Sequence, residues 1–374
     1  MTRRVAPLLV DGIVFELQAK GGISTIFREL LTRLPSGAFG VLGHRGASPV
    51  PLPDGTYAAR PARRLERYRD VAVDDAVRVF HSSYYRLPAS RRTAAVTSVY
   101  DFVYERYVRG IRTTVHSWQK RRAIERADRL ICISESTRRD LGTFMGARHA
   151  ERAVVVPCGV SEVFGPIEDS PPREQLLFVG QRGGYKNFAA AVQAMQAFPE
   201  LELVCVGGGA LTGHEVAHIA RCAPARVRWA GYLDDDALNV EYNRSLALLY
   251  PSLYEGFGIP VLEAMRARCP VIAVDTSSIP EVAGDAALLT ERGDPDELRA
   301  AIRTVLDPAR RADLVTRGLA RAATFGWELT YRRTIAIYEE LLGVPLSVDD
   351  GGVVPVVHAD SGGNGSPARI DSER

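Results

Sequence analysis

The chain has 374 residues, 46% hydrophobic and 25% charged. That is ordinary globular usage, which excludes a disordered chain, a fibre and a small disulfide scaffold. Lys and Arg total 47 against 45 Asp and Glu, a formal charge of +2, too balanced for a dedicated nucleic-acid binder.

At roughly 100–200 residues per domain the length predicts two domains. Only Lys20, Lys120 and Lys186 are lysines, so a lysine inside a motif stands out. The five cysteines (Cys132, Cys158, Cys205, Cys222 and Cys269) are scattered, with no C-x-x-C pair. We read a reducing, cytoplasmic compartment and no structural zinc site. Met1-Thr2-Arg3-Arg4 resembles the start of a signal peptide, but the apolar run Val5–Val10 stops at Asp11, too short for a signal core. No apolar run reaches the length of a membrane span.

Short apolar runs and helical periods alternate. In the first half the runs are Leu8–Val10, Gly40–Leu42, Val77–Phe80, Ala95–Val99, Leu130–Ile133 and Val154–Val156. Ile23, Ile26, Phe27, Leu30, Leu31 and Leu34 form one face of an amphipathic helix. The second half repeats the pattern at Leu176–Val179, Leu203–Val206, Val227–Ala230, Ala247–Tyr250 and Val271–Val274. Buried strands alternating with helices mean parallel sheets, so the fold class is α/β with two Rossmann-like domains in series. The boundary falls in the Pro-rich, acidic stretch Phe164–Pro172. From about Val348 the Gly-rich tail predicts disorder.

Three strand–loop–helix junctions read as anion sites, because a helix N-terminus offers free N–H groups and partial positive charge. The first is Gly21-Gly22-Ile23-Ser24, with Ser24 as the expected N-cap; on its own it is a weak signal, since most such Gly-Gly pairs are plain turns. The second runs from Phe178 through Gly180, Arg182, Gly183, Gly184 and Lys186 to Asn187. It offers a planar fork, a point charge and backbone donors, a set that suits a diphosphate, with Asn187 expected to cap the next helix. Two solvated surface cations are the plainer reading. The third spans Pro251–Met265, where Glu255 lies in the loop mouth, Gly256 and Gly258 free the backbone, Pro260 opens the helix and Glu263 follows within two turns. Ligands of open α/β sheets bind at such strand ends, and two carboxylates there suit sugar hydroxyls; a helix start stabilised by its dipole has the same spacing.

The run Tyr250–Met265 (YPSLYEGFGIPVLEAM) resembles the E-x7-E motif of the family 4 retaining glycosyltransferases, which have the GT-B fold. Ser278–Leu288, Ile131–Thr137, the Arg182/Lys186 loop and Phe325-Gly326-Trp327-Glu328 are similar to it too. The resemblance covers roughly residues 8–342. It implies two Rossmann-like domains facing across a cleft: an acceptor domain over 1–165, a donor domain over 166–325, a helix over 326–343 crossing back to the first domain, and a tail over 344–374.

The implied activity is transfer of a hexose, with retention, from a nucleotide sugar to a hydroxyl acceptor such as a glycan, a lipid-linked sugar or a natural product. By the resemblance, Arg182 and Lys186 hold the diphosphate and Glu263 the ribose hydroxyls. Glu255 with the backbone of Gly256, Phe257, Gly258 and Ile259 holds the transferred sugar and helps the phosphate. Backbone at Tyr232 and Leu233 meets the base, and Gly21 and Gly22 close from the first domain. Glu255, Arg182 and Lys186 are the catalytic candidates. The loop Gly183–Phe188 looks most like members that use GDP-mannose in polysaccharide assembly, a weak preference over UDP-sugars. Cations and helix N-termini substitute for a metal at the leaving diphosphate. No acidic pair is placed to hold Mg²⁺, and Asp234-Asp235-Asp236 reads as a polar turn before a helix, so no metal and no cofactor are expected.

The sequence departs from the family at Tyr100-Asp101, where many relatives carry His-Asp. A tyrosine lacks histidine's proton chemistry near neutral pH, so Tyr100 and Asp101 are the acceptor-side candidates. A non-catalytic sugar-nucleotide-binding subunit and a nucleotide-sugar epimerase are the alternatives. Arg268 stands where relatives have a helix-ending glycine, a capping cost of about 1 kcal/mol.

Other features carry less. Gly207-Gly208-Gly209 fails the dinucleotide spacing, since Thr212 stands where its last glycine would be. His214 and His218 lack a third metal ligand. The basic runs Arg60–Arg69 and Lys120–Arg126 are diluted by Glu66, Asp70, Glu105 and Glu125. Solvated helix is the favoured reading there, with a weak peripheral contact to the inner face of an anionic membrane as the other. No nucleic-acid partner is expected.

Overall fold

In the computed structural model residues 6–18, 21–44, 48–108, 110–168 and 171–346 are described. Lys20, the N-terminal Met1–Val5 and nearly all of the expected tail lie outside them. Among the described residues thirteen strands form two sheets, and every ladder pair is parallel.

The first sheet holds β1 (Leu8–Asp11), β2 (Phe39–Gly43), β3 (Tyr57–Ala59), β4 (Val79–Ser82), β5 (Ala94–Val99), β6 (Arg129–Cys132) and β7 (Ala153–Val155), in the order β3-β2-β1-β4-β5-β6-β7. The second holds β8 (Gln175–Val179), β9 (Glu202–Val206), β10 (Val227–Gly231), β11 (Ala247–Tyr250), β12 (Val271–Val274) and β13 (Leu288–Thr290), in the order β10-β9-β8-β11-β12-β13. Central strands β1, β4, β11 and β12 are buried at every residue, which is why they read as unbroken apolar runs. Leu8 pairs with Phe39 on one side and Val79 on the other, and Leu248 with Val271 and Leu177. The two strands absent from the sequence reading, β3 and β13, are three-residue edges.

Strand order reverses between β1 and β4 in the first sheet and between β8 and β11 in the second. These are the points where open α/β sheets bind ligands. The predicted helix forms over Gly22–Leu31 and buries Phe27, Leu30 and Leu31. Its N-cap is Gly21, not Ser24: the Ser24 hydroxyl sits inside the first turn and donates to Gly21 O at 2.9 Å. Asn187 likewise makes no side-chain cap. It adopts the left-handed conformation (φ 55°) and its amide donates to Gly293 O at 2.9 Å. Arg268 sits just past helix Ile259–Arg266 with φ 58°, the conformation glycine favours.

Helix Trp327–Leu342 packs on helix Gly22–Leu31 and on β4 of the first sheet. There Tyr338 Oη meets His81 Nδ1 at 2.5 Å, and His81 Nε2 pairs with Ser98 Oγ at 2.9 Å. Burial drives the His81 pKa down to about 3, so this histidine is a neutral structural tie. No helix among the described residues is long and apolar enough to cross a membrane.

Candidate active site

Loops after β8 and β11 meet at the second switch point. Lys186 ends the one-turn helix Gly184–Lys186. Its Nζ donates to Glu255 Oε1 at 2.5 Å and lies 3.4 Å from Tyr250 Oη, the last residue of β11. The two charged side chains keep 13% and 11% of their surface, which leaves the pair shielded yet reachable. Burial and the neighbouring Glu255 push the Tyr250 phenol well above its ordinary range, so it stays a neutral donor.

The Glu255–Ile259 loop is held from both sides. Glu255 N–H donates to Ser277 Oγ at 2.8 Å, and Ser278 Oγ donates to the carbonyls of Glu255 and Phe257 at 3.0 and 2.9 Å. From the first domain, Ser134 Oγ and Thr137 Oγ1 donate to Gly256 O at 2.7 and 3.1 Å. A Cβ on Gly256 would fall 2.0 Å from Tyr100 O, so only glycine permits this approach of the two domains. Gly258 (φ 98°) turns the chain into helix Ile259–Arg266, with Pro260 in its first turn. Gly22 faces this helix start, since a Cβ there would lie 3.8 Å from Ile259 Cδ1. The glycine loop of the first domain and the acidic loop of the second thus share one cleft.

The two cations after β8 differ. Arg182 is 4% exposed and turned aside: Nε donates to Glu215 Oε1 at 3.0 Å, and its other nitrogens donate to the carbonyls of Gly207, Gly209 and Ala210. It braces the loop after β9, while Lys186 reaches Glu255. Glu263 lies one helical turn inward, and its Oε2 accepts from Tyr242 Oη at 2.9 Å. Burial raises its pKa to about 7 against the pull of that hydrogen bond. Tyr232 is exposed, Leu233 is half-buried, and Asp234 caps helix Asp235–Arg244 through Ala237 N–H.

On the first-domain side Tyr100 points into the core. It is 3% exposed and its hydroxyl donates to Ser83 O at 3.0 Å, so its backbone, not its phenol, meets the donor loop. Asp101 remains partly exposed. Burial raises its pKa, Lys120 and the Val103 N–H oppose that, and Glu105 and Glu255 reinforce it. Lys120, read in the sequence as part of a solvated basic run, is instead buried. Its Nζ donates to Asp101 O at 2.9 Å and Glu105 Oε2 at 2.8 Å. The rest of that run is largely paired: Arg122 and Arg126 both reach Asp70.

Several of these groups carry no sequence signal of their own. Tyr242 and Glu215 act on Glu263 and Arg182 from separate helices, and Tyr250 looks like an ordinary strand residue. Ser278 and Glu281 lie in a segment that had been singled out, but their partners had not. Glu281 takes the N–H groups of Glu135 and Ser136, at 2.8 and 3.1 Å, at the start of first-domain helix Glu135–Met145.

Comparison with known proteins covers nearly the whole described chain. Residues 13–163 match the family described as Glycosyltransferase Family 4, and residues 161–319 match Glycosyl transferases group 1. The O-antigen chain mannosyltransferase B of Escherichia coli is 28% identical over 309 residues, 75% of this chain and 77% of that one. The serotype-specific mannosyltransferase WbdA of Escherichia coli is 28% identical over 249 residues, 61% of this chain but only 30% of WbdA. Among solved structures, sucrose-phosphate synthase from Thermosynechococcus elongatus superposes with a TM-score of 0.73 at 19% identity, over 90% of this chain and 99% of that one.

Proposed function

The chain belongs to the family 4 glycosyltransferases of GT-B fold, and from that premise we propose that it moves a hexose, with retention of anomeric configuration and without a divalent metal, from a nucleoside diphosphate sugar to a hydroxyl acceptor. The observation that carries the reading is the shielded Lys186–Glu255 pair at the switch point of the second sheet, on whose Glu255 loop Ile259 faces Gly22 of the first domain. Mannose, as GDP-mannose, is the favoured hexose; the names of the Escherichia coli relatives support it.

The leaving diphosphate gains negative charge as the glycosidic C–O bond breaks. Lys186 Nζ and the N-terminus of helix Ile259–Arg266 stand ready for that charge, and preorganised donors favour the transition state over the ground state. Arg182 contributes by fixing the loop after β9. Glu263 accepts from the ribose hydroxyls, backbone at Tyr232 and Leu233 meets the base, and Glu255 orients the sugar once Lys186 turns to phosphate.

Product analysis after EDTA treatment tests this. Free nucleoside diphosphate together with a hexose-extended acceptor is expected. An isomerised sugar from donor alone would make the protein an epimerase, and donor binding without turnover a binding subunit. Activity lost to EDTA and restored by Mg²⁺ or Mn²⁺ would contradict metal independence.

A further inference from the structure

We propose that Tyr254 and Asp140 are a positioning pair: the Tyr254 hydroxyl, seated on the first domain, fixes the neighbouring Glu255 carboxylate where the transferred sugar needs it. This rests on the transfer reading above, which gives Glu255 the sugar. Tyr254 lies between Leu253 and Glu255 in the loop after β11 and is 4% exposed. It belongs to none of the apolar cores; polar and aromatic groups of the first domain bury it instead.

The socket comes from three first-domain segments. Phe102 N–H, just after β5, donates to Tyr254 Oη at 2.9 Å. The phenol's own proton goes to Asp140 Oδ2 at 2.7 Å, on helix Glu135–Met145. Burial and this hydrogen bond hold the phenol well above its ordinary range, so the proton stays on Tyr254. From helix Val103–Tyr107, the Arg106 guanidinium pairs with Asp140 Oδ1 and lies 5.4 Å from the Tyr254 ring centroid. Tyr107 completes the wall, with its ring 5.9 Å from that of Tyr254 and its hydroxyl donating to Leu253 O at 3.3 Å.

Residues on both sides of Glu255 are therefore bound to the first domain. Leu253 is held by Tyr107, Tyr254 by Phe102 and Asp140, and Gly256 by Ser134 and Thr137. Glu255 itself bonds within its own domain, to Ser277, Ser278 and Lys186. Its carboxylate thus sits on a short span whose two ends the other domain sets. A group that orients a substrate must be held to a fraction of an ångström, and a small misplacement costs rate. A phenol buried for packing alone is satisfied by one partner. This one has two, and Arg106 braces the second of them. Phe102 also follows Asp101 directly, so one hydroxyl ties the donor loop to the turn on the acceptor side.

Tyr254→Phe keeps the ring and removes the hydroxyl; Asp140→Ala removes the acceptor, and Asp140→Asn restores an acceptor oxygen. On the full chain, calorimetry compares GDP-mannose and UDP-glucose with free GDP and UDP. Turnover is read as nucleotide released from either sugar nucleotide, with water or methyl α-mannoside as the acceptor. Tyr254→Phe and Asp140→Ala are expected to lower kcat about tenfold and sugar-nucleotide affinity about threefold, with free-nucleotide affinity kept within about twofold, because the free nucleotide carries no sugar for Glu255 to orient. Asp140→Asn should recover most of the loss, and the double variant Tyr254→Phe/Asp140→Ala should be no worse than either single change. Equal losses for free and sugar-bearing nucleotides would show a structural role only and overturn the pair, as would additive losses. No turnover of either sugar nucleotide by the wild type would overturn the transfer reading, and the affinity comparison would still judge the pair. Wild-type turnover matched by Tyr254→Phe would overturn the pair alone.

Discussion

The two domains use one strand topology for opposite ends. Each reverses strand order at its centre and places a cation on a loop beside that point. In the first domain the cation is Arg86, just after β4, and it is 1% exposed. It donates to Asp11 Oδ1 at 3.1 Å and to Glu66 Oε1 at 2.6 Å, so its charge is consumed inside the core. In the second it is Lys186, paired with one carboxylate at the cleft mouth. Topology fixes where a ligand can bind, but burial of the charge decides whether it serves the fold or the ligand. The first domain is left with aromatic rings at its cleft, and the second with a cation.

Four changes test that contrast, from the largest expected effect down. Arg86→Ala leaves Asp11 as a buried acid without its cation, while Glu66 keeps its pair with Arg63, so urea unfolding should show a loss of about 3–5 kcal/mol; a loss near that of a surface residue would mean the buried triad is no more than a packed ornament. Lys186→Ala should lower kcat/KM for the donor by roughly 10²–10³ fold, the range for losing one preorganised charge-stabilising group, while unfolding barely changes. An equal loss in both measurements would place Lys186 in the fold instead of the site.

Glu263 gives a smaller, pH-dependent effect. Its pKa, raised by burial to about 7, means that the carboxylate we propose for the ribose ionises between pH 6 and 8. Donor affinity should rise up to roughly tenfold over that interval, about 1.4 kcal/mol, and Glu263→Gln should flatten the profile. The stability sign is opposite: the raised pKa favours the native state below the ordinary carboxylate range, and that contribution is lost as pH rises through 7. A wild-type profile as flat as the variant's would remove Glu263 from the ribose contact. Last, Arg268→Gly should stabilise by about 0.5–1 kcal/mol, because Arg268 holds a left-handed φ. A lower Tm would show that its side chain makes up for the strain.

Much of this was legible in the sequence. Buried central strands advertise themselves as Val/Leu/Ile runs, while β3 and β13, three residues each at sheet edges, bury too little to leave a pattern. The loops carrying Lys186, Glu255 and Gly22 were marked by glycine and by the rarity of lysine. Their meeting in one cleft was implied by the family resemblance and not by any spacing. The cap position failed at Ser24, where Gly21 starts the helix, while Asn187 stands at its expected cap position but left-handed and without a side-chain cap bond, because backbone conformation outranked side-chain preference. Lys120 was misread for a physical reason: Glu105 reads in the sequence only as diluting the basic run, and it and the Asp101 carbonyl become buried partners of Lys120 only through the turn after β5. The contacts of Tyr84 and Tyr104 with His116 were unreadable for the same reason, since the three come from separate segments.

The most direct test of the donor assignment is calorimetric titration of GDP-mannose and UDP-glucose into EDTA-treated wild-type and Lys186→Ala proteins. The account predicts that the wild type binds one of these donors and that Lys186→Ala loses at least tenfold in affinity. Unchanged affinity in Lys186→Ala would contradict the assignment of the donor to the second domain's charge.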